Sequence, residues 1–123
     1  MTKHIFFLRH FETKNNVNGI LNGQSLEEPI SAGHCIEKCF PFDIIYCSTA
    51  LRCRQTVEWI EGHNKIFFSE QLLERNLGLL EGHSRIEMQK QYPELFDKNR
   101  LNVFATPPEG ESYNEFHGRA SKF

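Results

Sequence analysis

The apolar positions of this chain fall into short blocks separated by polar, glycine-bearing stretches. Ile5-Phe6-Phe7-Leu8 is a continuous apolar run of the kind seen in a parallel strand covered on both faces. Residues 11–31 are polar and carry Asn and Gly, which predicts a long loop, and loops of that length inside compact domains are usually functional. Ser31-Ala32-Gly33 opens a predicted helix that runs to about Phe40 and stops before Pro41. Asp43–Cys47 reads as a second strand, Ala50–Glu61 as a helix closed by Gly62, and Lys65–Phe68 as a third strand. Residues 69–83 show no clear period. Ser84 with Glu87 three residues on predicts a capping box and a helix to about Tyr92, or onward from Pro93 through Phe96. Thr106–Gly110 is a loop, and Ser112 with Glu115 predicts the cap of a final helix.

Strands that alternate with helices imply an α/β fold, with a largely parallel sheet and flanking helices. Ligands in such sheets gather at the carboxyl ends of the strands. No internal repeat or linker divides the 123 residues, so residues 1–123 read as a single domain.

Composition narrows the function classes. A net charge of −2 and dispersed basic residues argue against nucleic acid as a partner. No apolar run approaches the roughly 18 residues of a membrane span. The basic-then-apolar start is interrupted by Arg9, His10 and Glu12, unlike a secretory leader, so the expected location is the cytoplasm. Cys35, Cys39, Cys47 and Cys53 contain no CxxC pair. Cys35 and Cys39 can share the buried face of a helix, so core packing is the expectation for the cysteines, and no metal site. His4, His34, His63 and His83 read as structural or surface residues, the last two in exposed turns after Gly62 and Gly82.

Four segments carry chemistry. Arg9-His10 follows the first predicted strand. A guanidinium matches phosphate oxygens with a planar fork of donors, and a neutral imidazole beside it can attack phosphorus. Ser48 follows the second strand, and Arg52 lies one helical turn beyond, so two strand ends can each supply an arginine to one anion pocket. Glu74, in Leu73–Gly82, is a candidate general acid, because a neighbouring phosphate dianion raises a carboxyl pKa. The bland alternative is that Glu74 or Glu81 pairs with Arg75. Gly110-Glu111-Ser112 combines a tight turn with a helix start.

In this order and spacing, the segments resemble the histidine phosphatase superfamily, the phosphoglycerate mutase-like proteins. Leu8–Thr13 is similar to the RHGE[TS] signature, Leu21-Asn22-Gly23 to a later loop, Pro29–Gly33 to the PLTxxG helix start, and Ser48–Thr56 to SxLxRAxQT. Glu74–Gly82 is similar to ExxxGxxEG and Gly110–Ser112 to the GES loop. The resemblance implies that His10 is the nucleophile and Glu74 the proton donor. It also implies that Arg9, Arg52 and Asn16 hold the phosphoryl group, with Asn22 and Gly23 at the substrate. It implies no cofactor and no metal, since the arginines supply the compensating charge. The implied partner is a phosphorylated small molecule, and the implied reaction is phosphomonoester hydrolysis through phosphohistidine.

Two departures stand out. Phe11 occupies the signature's glycine and is expected to narrow the pocket or force a different loop. The family also has a second histidine in a late strand ending in an HG pair. His117-Gly118 sits inside a predicted helix with no apolar strand before it, and is not expected to serve. The expectation is therefore an incomplete domain that lacks a C-terminal strand and helices. Its activity would be impaired, and an exposed sheet edge would favour oligomerisation. The alternatives are a degenerate fragment that binds phosphorylated ligands without turnover, and a phosphoglycerate mutase-type phosphotransferase.

Overall fold

A computed structural model of the chain describes residues 1–24, 27–36, 42–61 and 65–123. Its centre is a parallel pair, β1 (Ile45–Ser48) and β2 (Ile66–Ser69), in register from Ile45↔Ile66 to Ser48↔Ser69. The connection between them carries α2 (Leu51–Val57). The buried side chains of α2 are Arg52, Thr56 and Val57. The four-residue step from Arg52 to Thr56 puts both on the inward face. Cys47, Val57 and Ile60 form one small core, packed by Ile36, Ile45, Cys53 and Ile66.

A second core lies farther along the chain. Leu77, Leu80, Met88 and Leu95 come together from a 3-10 turn (Gly78–Leu80), α3 (Arg85–Gln91) and a second 3-10 turn (Pro93–Leu95). Leu80 is fully buried, a burial that stabilises by ~2 kcal/mol. A short antiparallel hairpin, β3 (Phe96–Asp97) with β4 (Arg100–Leu101), packs on this core through Phe96 and Leu101. The chain's last helix, α4 (Tyr113–Ser121), starts with the expected capping box: Ser112 Oγ accepts from Glu115 N, and Glu115 Oε2 accepts from Ser112 N.

Several expectations are corrected. Ile5–Leu8 is not a strand, and its side chains are exposed, Ile5 at 80% and Phe7 at 97%. An apolar run becomes a strand only when a neighbour takes its backbone groups, and β1 takes β2 as partner. The loop over 11–31 contains α1 (Lys14–Asn18). A Thr13–Asn16 capping box starts that helix, and left-handed Gly19 (φ 67°) ends it. No helix opens at Ser31. The backbone there is spent on other segments: Ser31 N donates to Glu12 O, and Ile36 N to Trp59 O. Cys35 is therefore exposed, with its thiol 2.9 Å from Glu61 Oε1, whereas Cys47 packs in the core as expected. The Ser84–Glu87 capping box does not form, because Ser84 makes no side-chain cap bond. The start of α3 is tied instead by Arg85 N donating to Gly19 O. The expected helix end at Phe40, together with Cys39, Pro41, Gly62 and His63, lies outside the described residues. Among the described residues no helix is long and apolar enough to cross a membrane.

Candidate active site

An open cleft of about 450 Å³ takes Arg52 from the helix after β1 and Glu74 from the segment after β2. Arg9, His10, Asn16, Asn22, Arg52 and Glu74 line it, together with Glu12, Arg85 and the Gly19–Leu21 backbone. Of the residues singled out in the sequence, Arg9, His10, Asn16, Asn22, Arg52 and Glu74 lie on this one cleft, and Arg85 joins them. Gly23 is not a lining residue. It is buried, and its carbonyl accepts a bond from Arg52 Nη2 at 3.3 Å.

His10 reaches the cleft without a strand beneath it. Phe11 N donates to Thr56 Oγ1 at 2.9 Å, and Thr56 Oγ1 donates to Arg52 O at 2.7 Å. Buried Thr56 therefore ties the His10 segment to the helix that carries Arg52. The Phe11 ring stacks at a tilt on His34, centroids 4.7 Å apart, and is not among the cleft-lining side chains.

The imidazole is set up as a neutral base. His10 Nδ1 lies 2.6 Å from the Phe11 carbonyl oxygen. A carbonyl only accepts, so Nδ1 holds the proton and Nε2 keeps its lone pair. The His10 pKa lies below the ordinary histidine value. Burial is the largest cause; the Phe11 carbonyl opposes it, Arg52 and Arg9 lower it further, and Glu74 raises it.

Arg52 is buried, only 3% exposed. Nη2 has the Gly23 carbonyl, while Nε and Nη1 are buried with no hydrogen-bond partner. A buried donor without an acceptor costs about 1–3 kcal/mol, more when charged. Such a group is a poor choice for stability and a good one for receiving an anion. Asn16 is held by its capping bond, Oδ1 accepting from Thr13 N at 3.1 Å, and Asn22 by Asn15 Nδ2, which donates to its Oδ1 at 2.8 Å. Glu74 Oε1 accepts from Arg75 N at 2.8 Å.

The Arg75 guanidinium does not pair with Glu74 or Glu81. It is buried and donates to the carbonyls of Val103, Ala105 and Glu111. Glu81 also has a scaffolding place: Oε1 accepts from Gln24 N and Leu77 N, each at 2.9 Å. His117 lies exposed on α4, and Ser121 Oγ is 3.4 Å from its Nδ1. It sits within a helix, as the sequence indicated, and is not among the cleft-lining residues. His83 is exposed as expected. Among the described residues no group of three or more His, Cys, Asp or Glu could hold a metal.

The profile described as Histidine phosphatase superfamily (branch 1) matches residues 5–123. The chain belongs to this superfamily. It is 32% identical to "Probable phosphatase C1687.21" of Schizosaccharomyces pombe, over 97% of this chain and 57% of that protein. It is 30% identical to broad-specificity phosphatase YOR283W of Saccharomyces cerevisiae, over 94% of this chain and 54% of that one. Among solved structures, Bacillus stearothermophilus YhfR superposes with a TM-score of 0.75 at 27% identity, covering 93% of this chain and 61% of that one. The chain spans a little over half the length of these curated relatives.

The superfamily's glycine-bearing segments here serve to bring backbones together. Gly78 has φ 56°, and a Cβ on it would sit 2.1 Å from the Pro108 carbonyl oxygen. Gly110 approaches Asn76 O less closely, and a Cβ on it would still clash at 2.7 Å. The Glu111 carboxylate then locks the assembly. It accepts Asn76 N at 2.9 Å and makes a two-pronged pair with Arg119 at 2.8 and 2.9 Å. Arg119 also donates to the carbonyls of Gln71, Leu73 and Glu74, so this clamp holds the backbone on which Glu74 stands.

Glu111 titrates below the ordinary glutamate value, chiefly through the Arg119 bond. A depressed folded-state pKa adds stability above the unfolded-state value and loses it as pH falls through the folded one. Arg119→Ala is expected to cost about 2 kcal/mol, since the pair is partly solvated. Denaturant titration at pH 7 and pH 3 checks this: the gap between wild type and variant narrows at low pH. A gap that is equal at both would deny the clamp its electrostatic part.

Proposed function

We propose that the cleft performs phosphomonoester hydrolysis through a phosphohistidine on His10. The observation that carries the reading is the buried Arg52 guanidinium with two unpartnered nitrogens, beside a neutral imidazole whose free lone pair is on Nε2. Arg9, Arg52 and Asn16 bind the phosphoryl oxygens. The His10 Nε2 lone pair forms the P–N bond as the bond to the leaving oxygen breaks, and protonated Glu74 gives that oxygen its proton. The Glu74 carboxylate then takes a proton from water, whose oxygen displaces Nε2 from phosphorus. Phosphate leaves, and Glu74 is again protonated. The arginines offset the charge that develops in both steps.

The ExxxGxxEG form of Glu74–Gly82 and the phosphatase names of both curated relatives favour hydrolysis over transfer to a second substrate. A cytoplasmic setting fits the free thiols of Cys47 and Cys53. A second reading, phospho-ligand capture without turnover, rests on His10 being the one cleft histidine among the described residues. Rapid quench with a 32P-labelled monoester separates the two. A labelled, acid-labile enzyme followed by steady phosphate release supports hydrolysis. A single burst, or bound monoester with no label, supports capture, and neither label nor binding removes both.

Glu74 has its own test. Glu74→Gln is expected to slow alkyl phosphates by about 10²–10⁴-fold and 4-nitrophenyl phosphate far less, because nitrophenolate leaves without a proton. Equal slowing of both would take the acid role from Glu74.

A further inference from the structure

No motif includes Gln24, which directly follows the loop glycine Gly23. Together the two residues bond to both halves of the proposed chemistry. The Gly23 carbonyl accepts from Arg52 Nη2 at 3.3 Å. Gln24 Nε2 donates to the Glu74 carbonyl oxygen at 2.9 Å and to Glu111 Oε2 at 3.4 Å. Residues 23–24 therefore form a strap between the phosphate-binding arginine and the segment of the acid. Glu81 anchors the strap, with Oε1 accepting from Gln24 N and also from Leu77 N.

The Glu74 carbonyl and the Arg75 N–H are the two ends of one planar peptide group. That N–H donates to Glu74 Oε1 at 2.8 Å. Whatever fixes the carbonyl end also fixes the direction of the N–H that holds the carboxyl group. Arg119 Nη2 reaches the same carbonyl at 3.3 Å, so Gln24 makes the shorter of these two bonds. Donation to a carbonyl also polarises its amide and strengthens the bond that the N–H gives. With Oε1 accepting from the backbone, the acidic proton of Glu74 belongs on Oε2. Gln24 itself is not a cleft-lining residue.

Resting on the hydrolytic reading above, we infer that Gln24 is a positioning residue for proton transfer to the leaving group. It holds the Glu74–Arg75 peptide, and through it the Glu74 carboxyl group, in place relative to the phosphoryl group bound by Arg52. Its effect therefore runs through Glu74 and is confined to substrates whose leaving oxygen needs a proton.

Gln24→Met keeps the length of the side chain and removes its donor. The variant is expected to slow an alkyl phosphate by about tenfold or more, the scale set by a small misplacement of a reacting group. Slowing of 4-nitrophenyl phosphate should stay below about twofold, because nitrophenolate leaves without a proton. Affinity for inorganic phosphate, read by calorimetry, should be that of the wild type. Gln24→Lys supplies a donor again and should recover most of the alkyl phosphate rate. In a Glu74→Gln background, Gln24→Met should slow the alkyl phosphate no further, since the group it positions is already gone. Equal slowing of both esters, a matching loss of phosphate affinity, no recovery in Gln24→Lys, or additive slowing in the double variant each overturns the inference. So does an alkyl phosphate rate left unchanged by Gln24→Met, and all of these leave the hydrolytic reading standing. A wild type that turns over neither ester overturns that reading and the inference with it. Thermal unfolding checks that Gln24→Met is folded; if it is not, Gln24→Asn, one methylene shorter, is held to the same outcomes.

Discussion

His10→Ala is expected to lower phosphatase turnover on any monoester by about 10⁴-fold or more, the scale seen when an enzyme loses a covalent nucleophile. The acid-labile phosphoenzyme should disappear with it. In the proposed reaction the imidazole supplies a route through two smaller barriers, and His10 is the one imidazole on the cleft, whose other side chains are guanidinium, amide, carboxyl or apolar. The pH profile carries a second signature. Burial and the nearby Arg52 and Arg9 hold the His10 pKa below the ordinary value of about 6.5. Nε2 therefore stays unprotonated into mildly acidic solution, and the acidic limb of kcat/KM should fall below that value. Arg9→Gln and Arg52→Gln remove lowering influences and should move the limb upward in residual activity. Turnover retained in His10→Ala would assign the chemistry to another group. A limb at or above the ordinary histidine value would deny the imidazole its environment.

Arg52→Met is expected to act in opposite directions on binding and on stability. Arg52 is 3% exposed, with Nε and Nη1 unpartnered, so the ligand-free fold bears the desolvation of a charge that only the Gly23 carbonyl meets. Met keeps the length and apolar stem without the charge. Exchange of buried charge for packed apolar atoms is often neutral or stabilising by about 1–4 kcal/mol. The ligand-free variant should therefore unfold at the same or higher urea concentration than wild type. Binding should show the reverse, since losing one side of a buried charged contact costs about 2–5 kcal/mol, at least about thirtyfold in affinity. A phosphate titration followed by thermal unfolding reads both. Wild type gains stability as phosphate exceeds Kd, by about 2.7 kcal/mol at a hundredfold excess, and Arg52→Met should gain almost none in that range. An equal phosphate-induced gain in both proteins would place the anion elsewhere.

Much of the site is visible in the chain as written, because its signals are local. Arg9 and His10 are neighbours, Arg52 and Thr56 share a helix face by their spacing, and Ser112 with Glu115 closes a capping box within one turn. Such pairs meet whenever the local element forms, whatever the rest of the molecule does. The α/β class follows from the same kind of signal, and β1, α2 and β2 appear within two residues of several expected ends.

What the tertiary structure decided is which distant group each polar atom meets. Ile5–Leu8 has the composition of a strand and lies exposed, because strand formation depends on a partner that local sequence does not specify. Ser84 and Glu87 have the spacing of a capping box, yet the start of α3 is held by the Gly19 carbonyl instead. Arg75 stands beside Glu74 in sequence and spends its donors on three carbonyls of the 103–111 segment. Arg85 resembles any exposed helical arginine until the backbone bonds between residues 19–21 and 82–85 set it on the wall of the cleft. In each case the competing partners lie far apart along the chain. Their relative free energies depend on burial and on which backbone groups are already paired, quantities that exist only once the segments have packed together.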